Sequence, residues 1–413
     1  MPGAINPVAE SERVLALDAL RGFSVLGILV MNIQSYSMPL PAYLNPHALG
    51  PLVGADWWIW LASHTLADRK FITLFSIMFG AGIILFTSRA QQRGLSTARL
   101  HYRRMFFLSL FGLAHAYLLW YGDILVTYAV CGMVIYPLRK LAPRRLLIIG
   151  LLAMAIGSAL YIFFGWSMQF WPPEQIAALK ADNWEPPPER INWDLETYRG
   201  GWLLQMRHRV PQSFFLQVPF LLMYELWRAG GLMLIGMALY KWGALTAQRS
   251  RAFYGRLVAI GFLVGIPVTL YGVYRNVQAD WNIRYSFFLG PQWNYWSGVL
   301  VALAYAGLVM LACHSGVAGG LTNRLAAVGR MAFTNYIMHT VICTTLLYGH
   351  GFGLYGSVSR LAQIGIVLGI FALQMLYSPL WLRHFRYGPL EWLWRALTYW
   401  RLPPFRRLSP RMP

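Results

Sequence analysis

Apolar residues fall into long runs separated by short polar connections, and ten of these runs are long enough to be membrane spans. They cover 14–37, 57–88, 104–120, 123–138, 146–170, 214–240, 253–275, 293–313, 325–348 and 360–382. Crossing a bilayer as a helix takes roughly 18 or more apolar residues, which these runs supply. The second run contains Asp68, Arg69 and Lys70, so it reads either as one broken helix or as two. The expected fold class is all-α: a polytopic integral membrane protein with about ten transmembrane helices, forming a single membrane domain over 1–413.

The first span, RVLALDALRGFSVLGILVMNIQSY (13–36), carries Asp18, Arg21, Asn32 and Gln34. A charged side chain at the centre of a spanning helix costs roughly 2.5–3.5 kcal/mol on insertion scales, so a mere anchor has no use for these residues. Asp18 and Arg21 are three apart and share a face, where they can pair. Arg21 and Asn32 lie close to three turns apart, so a polar stripe runs about 16 Å along the helix.

Arg and Lys set the orientation. Arg89, Arg93, Arg99, Arg103 and Arg104 fall in one set of connections, joined by Arg139, Lys140, Arg144 and Arg145, and later by Lys241, Arg249, Arg324 and Arg330. The tail, from Arg383 through Arg395 to Arg411, is equally basic, whereas the connections at 38–56 and 121–122 hold no Lys or Arg. By the positive-inside rule both termini are cytoplasmic. The segment 171–213 is then an extramembrane, periplasmic loop, and EPPPER at 185–190 predicts an irregular or extended course within it. It reads either as a lid over an outer cavity or as a surface loop. GPLEWLWRALTYW (388–400) places Leu393, Leu397 and Trp400 on one face and is an amphipathic helix lying on the inner leaflet.

Composition agrees with the pattern: 57% of the 413 residues are hydrophobic and 12% charged, with a mean hydropathy of +0.45. The formal net charge of +20 sits in the short connections and does not indicate a nucleic-acid partner. Cys131, Cys313 and Cys343 all fall inside spans, with no metal-ligand spacing, so no metal site is expected. The N-terminal run is too long and too charged for a cleaved signal and is expected to be retained.

The strongest constellation is FGLAHAYLLWYGDILVTYAVCGM (111–133). It sets His115 inside the third span and Asp123 at the tight turn into the fourth. An imidazole facing a carboxylate is what a general base and its orienting partner require. The bland alternative is a buried His bonded to a neighbouring helix, with Asp123 capping the fourth helix. Lys70 opens KFITLFSIMFGAG (70–82) and either neutralises an anion or pairs with Asp68 or Asp123, while Glu225 and Arg228 are spaced for an ion pair. His64, His339, Asn335 and Tyr336 lie in or near spans, and spacing does not rank them. Arg21, Lys70, Asp18, Asn335 and Tyr336 are the substrate- or cofactor-binding candidates.

ALDALRGFSVLGILVMNI (16–33), KFITLFSIMFGAG (70–82), GLAHAYLLWYGDIL (112–125), GRMAFTNYIMHTVICTTL (329–346) and the 388–400 block resemble, in order, the bacterial YeiB family, also called domain of unknown function 418. More distantly, the opening span is similar to transmembrane acyltransferases, those of acyltransferase family 3 and of the heparan-α-glucosaminide N-acetyltransferase type. In family 3 an Arg is followed after ten residues by His; here Arg21 is followed after ten residues by Asn32, as in the heparan type. The catalytic His of that type has no counterpart at matching spacing, His47 and His64 being the nearest. The base is therefore placed at His115 on the intramembrane His/Asp argument.

The resemblance implies acyl transfer from a cytoplasmic acyl-CoA, acetyl-CoA being the expected co-substrate, to a saccharide or other hydroxyl or amine acceptor from the outer side. Arg21 and Lys70 would face the anionic part of the donor, Asn32 would donate to the thioester carbonyl, and His115 with Asp123 would deprotonate the acceptor. The alternative is a secondary transporter using the same ionisable residues, although no internal repeat is evident. The expected setting is the bacterial inner membrane, with the lipid bilayer, a small-molecule or glycan acceptor and a second copy of the chain as expected partners.

Overall fold

The computed structural model describes residues 14–316 and 318–407; Arg13 and Arg411 lie outside the described residues. Eighteen α-helices follow one another, and no named strand occurs among the described residues. Seven helical stretches there are long and apolar enough to cross a membrane. They are α1 (Leu15–Ser37), the pair α3 (Gly54–Leu66) and α4 (Lys70–Gln92), and α7 (Pro143–Ser167) with the turn after it. Then come α10 (Trp202–Gln217) running into α11 (Leu226–Lys241), α12 (Arg251–Gln278), α13 (Ile283–Ser286) with α14 (Pro291–Ser315), and α17 (Arg360–His384). The molecule is thus an all-α, multi-pass membrane protein.

The other three expected spans do not qualify alone, each for a physical reason. Helix α5 (Thr97–Ala114) begins with Arg99, Arg103 and Arg104. Helix α6 (Leu125–Ile135) has only 11 residues. The ninth run is broken at Met331 into α15 (Gly319–Arg330) and α16 (Ala332–Leu347). The second run is also two helices: Arg69 has φ 64, a left-handed conformation that turns the chain between α3 and α4.

The expected irregular segment 171–213 is instead helical. Helices α8 (Pro173–Asn183) and α9 (Pro188–Arg199) each begin on a proline, and α10 starts at Trp202 rather than near 214. Proline fits the first helical position, where its missing N–H has no intrahelical partner to lose, so EPPPER starts a helix as well as ending one. Polar residues near the start of α10 bond within the protein: Arg209 donates to Leu118 O (2.8 Å) and to Gln205 Oε1 (2.7 Å).

Helix α1 is central. Of its most apolar window 72% is buried, against 28% for α7, α12 and α17, whose outward leucines and phenylalanines such as Leu263, Phe163 and Leu368 are exposed. Its closest neighbour is α15: a Cβ on Gly22 would collide with the Leu325 carbonyl, so only glycine allows the two backbones to meet there. Helix α2 (Leu40–Leu44) follows α1, and α18 (Pro389–Tyr399) packs on α5 and α16.

The Glu225–Arg228 pair expected from spacing does not form. A π-helical turn, Leu221–Glu225, changes the register before α11, and Arg228 instead donates to Thr73 Oγ1 at 2.9 Å and Arg69 O at 3.4 Å.

Candidate functional site

His115 closes α5 and opens a π-helical turn, His115–Leu119. Such a turn frees carbonyls from the helical ladder and often marks a functional site. Here α10 takes up those carbonyls: Ser213 donates to Ala116 O at 3.0 Å, and Trp202 (2.7 Å) and Arg209 (2.8 Å) both donate to Leu118 O. The segment expected to lie outside the membrane thus braces the turn that carries His115.

Asp123 and His115 meet as their spacing suggested, with His115 Nδ1 2.8 Å from Asp123 Oδ1 and both side chains almost wholly buried. The other Asp123 oxygen accepts the Val126 N–H at 2.8 Å and so caps α6. Capping and orienting the imidazole are therefore jobs of one carboxylate, not alternatives. Gly112 makes this possible, because a Cβ there would stand 2.6 Å from Val126 N and 2.9 Å from Asp123 Oδ2.

The far ring nitrogen, Nε2, lies 2.8 Å from Thr340 Oγ1, which lies 2.6 Å from Tyr36 Oη. A carboxylate can only accept, so Nδ1 carries the proton, Nε2 accepts from Thr340, and Tyr36 donates to Thr340. The network Asp123–His115–Thr340–Tyr36 joins α6, α5, α16 and α1. Thr340 and Tyr36 are the participants that sequence spacing missed. Tyr36 stands one turn beyond Asn32, and Thr340 follows the unranked His339.

Asn32 is half-buried, and its side chain makes no hydrogen bond with another described residue. Gln34, the other polar residue of the stripe, is held by Arg360 at 2.9 Å. Asn335 serves the break in the ninth span: its amide donates to Val328 O (3.0 Å) and Ser378 Oγ (3.2 Å), and Tyr377 donates to its oxygen. Glu391 of α18 completes that break by accepting from the Phe333 N–H (2.7 Å) and from Thr334 Oγ1 (2.6 Å).

Asp18 and Arg21 do pair, at 2.9 Å. They line a cavity of about 270 Å³, together with Arg89, Arg93, Arg104, Arg330 and Arg395. Among the described residues the lining holds these six arginines and two carboxylates, Asp18 and Glu391. Arg104 is held rigid with its guanidinium 4.0 Å from the Trp394 ring centre and 4.7 Å from that of Phe86. Leu125 and Tyr336 are also among its lining residues. The Tyr336 ring centre is 5.3 Å from that of His115, and its hydroxyl donates to Gly122 O at 3.3 Å. One aromatic ring therefore lies between the arginine-lined cavity and the His115 network.

Lys70 is not brought to Arg21. It begins α4, so it sits about 28 Å along that axis from Arg89, and it is not among the residues lining the cavity. Its ammonium donates to Asn294 Oδ1 and, at 3.0 Å, to His64 O, beside a second, half-buried pair in which His64 Nδ1 is 3.2 Å from Asp68 Oδ2. Among the described residues no group of three His, Cys, Asp or Glu is placed to hold a metal.

Helices that bury polar networks between them and turn apolar faces outward define the class: an all-α membrane protein with a polar interior. Its kinship is narrower than the class. The family model described as "Protein of unknown function (DUF418)" matches residues 239–401. "Uncharacterized protein YeiB" of Escherichia coli (strain K12) is 32% identical over 400 residues, covering 94% of this chain and 96% of the relative. "Uncharacterized protein YxaH" of Bacillus subtilis (strain 168) is 31% identical over 431 residues, 98% of each chain. The chain belongs to this YeiB/DUF418 family.

Proposed function

We propose that this protein transfers an acyl group from a cytoplasmic acyl-CoA, acetyl-CoA foremost, to a hydroxyl or amine of a saccharide or other small acceptor reached from the outer side. The observation that carries the reading is an adjacency: Tyr336 is one of the residues lining the arginine-rich cavity, and its ring stands 5.3 Å from that of His115. CoA is polyanionic at one end and reactive at the other. Arginine binds phosphate oxygens in a planar fork, and a rigidly stacked Arg104 loses little freedom on doing so. His115, held by Asp123, is the base. Asn32, one turn from Tyr36 and free of other partners, is the proposed donor to the thioester carbonyl as charge develops on it. The distant resemblance of the opening span to transmembrane acyltransferases points the same way. In this reading the chain crosses a bacterial inner membrane ten times with both termini in the cytoplasm, and the cavity opens inward.

The test is calorimetric titration of the purified protein with CoA and acetyl-CoA, followed by an acetyl-release assay with saccharide acceptors. Binding that weakens with added salt and in the Arg21→Ala and Arg395→Ala variants is expected. No detectable CoA binding would defeat the reading.

One observation favours a second reading. The candidate crossing α3–α4 is broken beside the half-buried His64 and Asp68 and the buried Lys70, and non-helical backbone next to ionisable groups is how many transporters build an ion site. Proton-coupled uptake into proteoliposomes, without CoA binding, would establish it.

A further inference from the structure

We propose that Thr340 is a nucleophile and that the acyl group passes through an ester on its side chain. The inference rests on the acyl-CoA reading above and goes beyond it, because that reading needs only direct transfer to the acceptor.

The geometry is that of an activated hydroxyl. Asp123 Oδ1 lies 2.8 Å from His115 Nδ1, and His115 Nε2 lies 2.8 Å from Thr340 Oγ1. Carboxylate, imidazole and hydroxyl stand in the order by which a base, oriented by a third group, activates a weak nucleophile. The hydroxyl's local bonding supports this. A helical Ser or Thr ordinarily donates to the carbonyl one turn back. Thr345, on the same helix, does so to Val341 O at 2.7 Å, as Ser24 does to Leu20 O on α1. Thr340 makes no such bond. Its proton is committed to His115, and its oxygen receives the Tyr36 hydroxyl. A buried threonine serving only as packing would keep the local bond; this one is turned toward the base.

Access follows from the helix. Tyr336 lies one turn before Thr340 on α16, is among the residues lining the arginine-rich cavity, and has its ring centre 5.3 Å from that of His115, so the cavity wall and the Thr340 network meet at this side chain. In the first step Thr340 Oγ attacks the thioester carbonyl while His115 Nε2 takes the hydroxyl proton. The C–S bond then breaks, and the thiolate leaves with that proton as CoA–SH. In the second step His115 takes the proton of an acceptor hydroxyl, whose oxygen attacks the Thr340 ester. The ester C–O bond breaks and Thr340 recovers its proton from His115. Asp123 stays ionised throughout and stabilises the imidazolium formed in each step.

The experiment incubates the full-length protein with acetyl-labelled acetyl-CoA and no acceptor, quenches it in acid and maps the label by peptide mass spectrometry. CoA affinity is read separately by calorimetry. We expect a base-labile acetyl ester on Thr340, the same ester on the serine of the Thr340→Ser variant, and none in Thr340→Val. The valine variant should bind CoA with unchanged affinity and lose turnover by roughly 10²–10⁴-fold. Should Thr340→Val fail to fold, the position of the ester in Thr340→Ser decides the matter. CoA binding and acetyl transfer with no ester on residue 340, or wild-type turnover in Thr340→Val, would overturn the nucleophile and leave the acyl-CoA reading standing. No CoA binding at all would remove both.

Discussion

At the scale of single residues, the chemistry of this protein is concentrated in one carboxylate that does two things. Asp123 fixes the His115 tautomer through Oδ1 and caps α6 through Oδ2. Removing one partner of a buried pair leaves the other uncompensated, typically at about 3–5 kcal/mol. Asp123→Ala should therefore lower the melting temperature of the detergent-solubilised protein more than His115→Ala does, because it also strips the helix cap. A larger drop for His115→Ala would contradict the double role. Gly112→Ala should weaken the same corner by about 1–3 kcal/mol, since its methyl would have to push aside Val126 N and Asp123 Oδ2. The His–Asp pair was legible in the sequence because the two residues are eight apart across a tight turn. Thr340 and Tyr36 were not. Thr340 lies 225 positions from His115 and 304 from Tyr36, and only the crossing of α16 and α1 brings them together.

At the scale of elements, apolar run length located the long helices, while the interruptions within them were harder to read. Hydropathy averages over a window, so it registers a crossing without registering that Met331 divides it, whereas the charges Asp68, Arg69 and Lys70 did mark the second run as one broken helix or two. The first break is tied by Asn294 of α14, and the second by Asn335 of α16 itself together with Glu391 of α18. Proline misled in the opposite direction. Pro188 was read as a break and is a helix start. The helix it starts holds a testable group. Asp194 of α9 is buried, its Oδ1 has no hydrogen bond, and Arg190 is 3.9 Å away. Burial lifts its carboxyl to about 6, with Arg190 acting weakly the other way. A carboxyl raised in the folded state contributes stability while it is protonated, fully so below its ordinary range, and that contribution disappears as pH rises through about 6. His208 Nε2 also stands 3.7 Å from Oδ1, so the Asp194 contribution is read as the difference between the parent and Asp194→Asn: relative to the variant, the parent should lose melting temperature between pH 4.5 and 7.5. An Asp194→Asn variant with the same pH slope as the parent would place the titrating group elsewhere.

For the molecule as a whole, the question is which way the arginine cavity faces, because the proposed donor exists on one side of the membrane only. Six arginines from α1, α4, α5, α15 and α18 converge on that cavity, although in the sequence they are scattered between positions 21 and 395. Five of them were visible as basic residues near the end of a run, which charge asymmetry assigned to the cytoplasm, and Arg21 was visible as part of the polar stripe of the first span. What the sequence could not supply was their convergence, which depends on α18 folding back onto α5 and α16, with Trp394 donating to Arg104 O at 2.9 Å. The orientation has a direct check. A fluorescent protein joined after α18 should fluoresce and an alkaline phosphatase joined there should stay inactive, while a single cysteine introduced at Glu189 of α9 should react with a membrane-impermeant maleimide on intact spheroplasts. Phosphatase activity at the C-terminal junction would turn the cavity outward, away from any CoA pool. The arginines would then have to serve an extracytoplasmic anion, and His115 would lie between that anion and the cytoplasm rather than between the donor and the outside.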